Sequence, residues 1–194
     1  ADLVRHLTGH GVVAQHTEID IKQRLLFGTQ LRGQPSRNPL DVLAHAHARG
    51  VIHRDIKPAN FLVGWPADES PLKLTDFGLS NVRGEHDAAV GWGTPDYMAP
   101  EQLLGEVASK HSDIYSLGML LHELLYGELP FGSNTMKEIM IRLRKPAPVP
   151  QSSVADLPAP LLTLLFDGLL GIDPSTRPSD ARAISLELES ILDQ

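Results

Sequence analysis

The sequence predicts a mainly α-helical domain with one small β-hairpin. Three observations point there. Apolar residues recur at i, i+3, i+4 spacing in several separate segments from about residue 39 onward. Two short β-type runs interrupt that pattern, and they flank a turn-rich stretch. The chain has 194 residues, 42% of them hydrophobic. A chain of that length buries roughly 70% of the surface its unfolded form exposes, so a real core is available.

Each element has its own signal. Residues 39–49 read as a helix with Leu40, Leu43 and Ala44 inward and Gly50 as its stop. Residues 61–63 and 72–75 are the β-type runs, and the turn-rich 64–71 joins them into a hairpin. A strong helix follows, with Ser112 as its cap and Gly127 as its end. Its Ile114, Leu117, Leu120, Leu121, Leu124 and Leu125 fall at helical spacing. A helix so apolar belongs in the middle of the domain. Three more helices are expected at about 134–144, 160–170 and 179–192, the last capped by Ser179. The Pro-rich 145–150 and 158–160 link helices and do not mark domain boundaries.

Bulk properties exclude several classes. A formal charge of −7 argues against a nucleic-acid binder, which needs clustered Lys and Arg against phosphates. With no cysteine there is no disulfide framework and no thiolate metal site, which fits a cytoplasmic setting. No apolar run reaches the roughly 18 to 20 residues of a spanning helix. The N-terminus has no basic-then-apolar signal pattern. Residue 1 is Ala rather than Met, which reads as a chain cut from a longer one.

The chemistry sits in loops. Three motifs occur in order: His53-Arg54-Asp55-Ile56-Lys57-Pro58-Ala59-Asn60, then Asp76-Phe77-Gly78, then Ala99-Pro100-Glu101. Singly, Asp55 and Asn60 fit ordinary turn chemistry. The ordered set, with the hairpin between the two aspartates, is specific. In these motifs about residues 40–194 resemble the eukaryotic-type protein kinase family. The resemblance implies a protein-kinase-like fold: a mainly α C-lobe with its small β-hairpin at 38–194, the N-lobe being largely missing.

It also implies an activity, transfer of the ATP γ-phosphate to Ser or Thr hydroxyls of a protein substrate, with ATP and Mg²⁺ as cofactors. Such chemistry needs charge stabilisation and an aligned hydroxyl more than covalent help. By resemblance, Asp55 is the base, Lys57 places a positive charge on the transferring phosphoryl group, and Asn60 and Asp76 hold the two Mg²⁺ ions. Leu62 and Thr75 match positions lining the nucleotide pocket. Lys57 and the segment Gly93-Thr94-Pro95-Asp96-Tyr97 match the serine/threonine branch, with the Thr94 hydroxyl bridging Asp55 and Lys57. Asp113 matches the residue whose carboxylate accepts backbone N–H bonds from the His53-Arg54 turn. Glu101 and Arg177 match a buried structural ion pair. Glu123 matches a position that can read a substrate Arg, although Ala59 replaces the Glu that often assists it.

Some positions depart from the family pattern. Arg54 usually accompanies control by activation-loop phosphorylation, yet Val90 stands at the usual acceptor position and only Ser80 and Thr94 are available between Asp76 and Glu101. An acidic partner for Arg54, such as Glu85 or Asp87, is the alternative to no partner at all. No G-x-G-x-x-G occurs. Residues 1–37 are either a remnant of the N-lobe and hinge or a leader of no function. His45, His47 and His53 read as ordinary helix and catalytic-loop positions rather than a metal site, since i and i+2 on a helix do not share a face. Two functions stay open: a kinase whose larger lobe this is, or a pseudokinase-like module that docks proteins through its helices.

Overall fold

A computed structural model of the chain describes residues 39–63, 72–77, 95–132, 135–150 and 158–192. Helix α1, Pro39–Ala48, buries Leu40, Leu43 and His47 along one face. It stops at Gly50, whose φ of 72° lets the chain turn back while Val51 N–H closes on Ala46 O at 2.9 Å. Strands β1, Phe61–Val63, and β2, Leu72–Leu74, pair antiparallel with Phe61 opposite Leu74 and Val63 opposite Leu72. Phe61 and Leu74 are buried together, so this end of the hairpin is fixed to the core. The loop ending at Asn60 enters β1, and the loop beginning at Thr75 leaves β2. The hairpin therefore brings two motif-bearing loops to one place.

Helix α2, Pro100–Leu103, is a single turn. Helix α3, Lys110–Tyr126, is the centre of the core, with Ile114, Tyr115, Met119 and Leu120 at most 1% exposed. Its cap is Ser109, not Ser112. Ser109 is the last extended residue, and its hydroxyl accepts from His111 N–H at 3.2 Å. Ser112 sits one turn in, accepts from Ser109 N–H at 3.0 Å and completes the reciprocal box. Gly127 ends the helix in the left-handed region, as the sequence predicts, at φ 76°.

Helix α4, Met136–Arg142, is shorter than expected at both ends, and Thr135 caps its start. The Thr135 hydroxyl accepts from Glu138 N–H at 3.3 Å, and Glu138 answers on Thr135 N–H at 2.8 Å. Helix α5, Ala159–Thr163, widens into a π-helical stretch over Leu164–Leu169. That stretch packs against α3, where Gly118 lets the two backbones approach. Helix α6, Ala181–Leu192, packs on α1. Asp180, not Ser179, caps it: one carboxylate oxygen accepts from Arg182 and Ala183 N–H at 3.0 and 3.1 Å. An anion at the positive end of a helix is the stronger cap.

Candidate active site

The loop between α1 and β1 is anchored from below by one carboxylate. Asp113, in the first turn of α3, is buried; its two oxygens accept His53 N–H at 2.8 Å and Arg54 N–H at 2.7 Å. Consecutive amides can face one carboxylate only if the backbone turns sharply, and Arg54 does so at φ 71°. Asp113 has a third partner. His47 Nε2 lies 2.9 Å from its Oδ2, and because an ionised carboxylate only accepts, that nitrogen carries the proton. The expectation that His47 is an ordinary helix position is therefore too bland. It braces the residue that shapes the loop.

His53 fixes the loop from the other side. Its Nε2–H donates to Thr75 O at 2.8 Å, its Nδ1 accepts from Asp55 N–H at 3.3 Å, and its ring stands edge-on to Phe77 at 4.7 Å. Thr75 also gives its N–H and hydroxyl to Asn60 O, at 2.9 and 3.2 Å. The two loops are thus stitched together at their bases.

On this frame, Asp55, Lys57 and Asn60 converge. Lys57 Nζ is 2.7 Å from Asp55 Oδ2, with 22% of the Lys57 and 39% of the Asp55 side chain open to solvent. The Asn60 amide donates from Nδ2 to Asp55 O at 2.7 Å and Asp55 Oδ2 at 3.3 Å. With both donor contacts on Asp55, the acceptor Oδ1 is the atom Asn60 can offer elsewhere. Asp76 is exposed, at φ 63°, directly after Thr75. Leu62 lies on β1 opposite Lys73. Thr94, Ser80, Glu85, Asp87 and Val90 lie outside the described residues.

The segment following Thr94 is held to the same frame. Tyr97 hydroxyl donates to Glu123 on α3. Ala99 N–H donates to Gln102 Oε1 at 3.1 Å, and Gln102 Nε2 reaches Arg54 O at 3.2 Å. Gln102 thereby ties the third motif to the first. Further back, Arg177 makes a bidentate pair with Glu101 at 2.7 and 2.9 Å. Its other donors go to Gly171, His111 and Ile172 carbonyls at 2.8 to 3.0 Å, so all five N–H groups are used. Burial acts to raise the Glu101 carboxyl, but the Arg177 hydrogen bonds and charge, a backbone amide and the Ser112 hydroxyl together hold the group below its ordinary value.

The fold and this geometry agree with what comparison finds: a family model for the protein kinase domain matches residues 11–188. The chain belongs to the protein kinase family. The match extends the resemblance upstream, from about residue 40 to residue 11. This kinase-family chain is 40% identical over 119 residues to serine/threonine-protein kinase Pkn1 of Myxococcus xanthus, covering 59% of the chain and 17% of that protein. It is 34% identical over 163 residues to kinase pkn3 of the same organism, covering 78% and 30%. With serine/threonine-protein kinase PknL of Mycobacterium tuberculosis the figures are 37% over 164 residues, covering 81% and 40%. The chain spans less than half the length of these curated relatives. Among the described residues, no helix is long and apolar enough to cross a membrane.

Two residues that shape the site carry no motif signal: His47 and Gln102. Only Gln102 has a readable clue: it stands at the third position of a helical turn that starts with proline, where a Gln side chain can reach back to the N-cap N–H.

Proposed function

We propose that the protein containing this chain transfers the γ-phosphate of ATP to Ser or Thr hydroxyls of protein substrates. The observation that carries the reading is the convergence of Asp55, Lys57 and Asn60 within hydrogen-bond reach on a loop pinned by Asp113. Asp55 accepts the proton of the acceptor hydroxyl. Lys57, already against that carboxylate, faces the transferring phosphoryl group. Asn60, through Oδ1, and the exposed Asp76 carboxylate supply hard oxygen donors that suit Mg²⁺. When bound, the metal would neutralise charge on the phosphates. Thr94 bridges Asp55 and Lys57 in this reading, and Leu62 and Thr75 flank the nucleotide.

The relatives' names support serine/threonine specificity. Residues 38–194 are the C-lobe in this account, and the family match beginning at residue 11 favours a remnant of the preceding lobe within 1–37. A chain without cysteine, working on ATP, fits the cytoplasm.

The test is Asp55→Asn in the intact protein. Phosphate transfer should fall by about 10²- to 10⁴-fold, the usual contribution of a positioned base, while Mg-ATP binding persists. Transfer absent from the unsubstituted protein, with protein partners still bound, would instead favour the docking-module reading.

A further inference from the structure

Arg142 is the most deeply buried cation among the described residues, at 1% exposure, and the proposed chemistry does not use it. It closes α4, and its Nη1 donates to two backbone carbonyls of one turn: Pro95 O at 2.7 Å and Met98 O at 3.3 Å. The turn is itself closed by Met98 N–H on Pro95 O at 3.3 Å. The guanidinium carbon lies 5.6 Å from the centre of the Phe131 ring. Nε has no hydrogen-bond partner among the described residues, and the carboxylates whose charge acts on the guanidinium are Asp96, within that same turn, and Glu138, one turn back on α4.

Burying a guanidinium costs several kcal/mol of lost hydration, and an apolar side chain would fill the same space without that penalty. What the cation supplies instead is a charge-assisted grip on two carbonyls. Those carbonyls belong to the segment that continues from Thr94 and carries Tyr97. On its far side the segment is already tied through Ala99 and Gln102 to Arg54, the neighbour of Asp55.

We infer that Arg142 is a positioning residue: it clamps the turn at 95–98 onto α4 and so sets where a protein substrate docks relative to Asp55. The docking consequence rests on the kinase reading, whereas the clamp itself does not. The nucleotide end of the site, at Asn60 and Asp76, hangs on the hairpin and is independent of this contact.

The experiment compares Arg142→Met, which keeps length and loses every donor, with Arg142→Lys, which keeps charge and donors, in the full protein. Hydrogen exchange is followed at the amides of 96–98, with those of α3 as the control for global stability. In the Met variant the Met98 amide should exchange about tenfold faster or more, as expected for loss of a hydrogen bond to a charged group, with α3 unchanged. The KM for the protein substrate should rise by a similar factor while the KM for ATP stays put, and Lys should restore most of both. Unchanged exchange at 96–98 would overturn the clamp. Equal rises in both KM values would overturn its role in docking. If the unsubstituted protein transfers no phosphate, the kinase reading falls, and the exchange comparison still decides the clamp. Should Arg142→Met not fold, Arg142→Gln, which retains one donor group, takes its place against Lys.

Discussion

At the scale of single residues, the geometry of the candidate site depends on buried groups beneath it. Asp113 is buried and offers its two oxygens to two amides and one imidazole, so each partner offsets part of the cost of burying its charge. His47→Leu removes one of the three. Hydrogen bonds to charged groups contribute about 1.5 to 3 kcal/mol, and a loss in that range is expected in urea unfolding. The Glu101–Arg177 pair sets a larger effect. Glu101→Ala leaves five N–H groups aimed at fewer acceptors inside the core, and about 3 to 5 kcal/mol should be lost. The Asp55, Asn60 and Asp76 positions were legible because their motifs occur in fixed order. His47 was not, because a lone histidine on an apolar helix face has no pattern to announce its partner 66 positions away. Arg142 was hidden for the opposite reason: a basic residue in a helix's last turn reads as a solvated complement to the helix dipole.

At the scale of elements, α3 and the hairpin are the parts the sequence describes best. The i, i+3, i+4 leucines have no reading other than a buried helix, and Gly127 marks its end through a left-handed turn that only glycine enters without penalty. The caps were harder to place. Several Ser and Asp residues lie near each helix start, and which one remains extended depends on tertiary contacts such as Ser112 hydroxyl donating to Glu101 at 2.8 Å. The π-helical stretch at Leu164–Leu169, which packs against α3, has no counterpart in the i, i+3, i+4 pattern of the sequence. That fit yields a prediction. A methyl group on Gly118 would stand 2.9 Å from Leu169 Cβ and 3.0 Å from Leu170 Cδ2, and a Cβ next to backbone cannot swing away. Gly118→Ala, a substitution that helix propensity alone would favour, should instead destabilise by about 1 to 3 kcal/mol in thermal or urea unfolding.

Across the whole molecule, protonation links the frame to pH. His122 is buried, and its Nδ1–H donates to Glu128 O at 2.8 Å, which leaves Nε2 without a partner among the described residues. Burial therefore holds its pKa below the ordinary 6.5, and burial with the nearby Arg177 does the same to His111. Both imidazoles are more basic in the unfolded chain, which takes up more protons as pH falls below about 6.5. Stability should decline from there down to the folded-state values. Glu101 acts in the same direction at lower pH: its stabilisation is present above its ordinary 4.5 and is lost as pH falls through the lower folded value. Two acid phases are expected in unfolding free energy against pH. His122→Phe should make the first shallower, leaving the share of His111, and leave the second unchanged; equal slopes in both proteins would show that His122 contributes nothing to it.

What the converged loop does to phosphate decides whether Asp55, Lys57 and Asn60 form a phosphoryl-transfer site. The measurement that tests it most directly is transfer of labelled γ-phosphate from Mg-ATP to a protein substrate by the intact parent protein, followed by identification of the labelled amino acid. Label is expected on serine or threonine and should be lost in Asp55→Asn. Bound Mg-ATP with no label transferred, or transfer at an equal rate in Asp55→Asn, would contradict it.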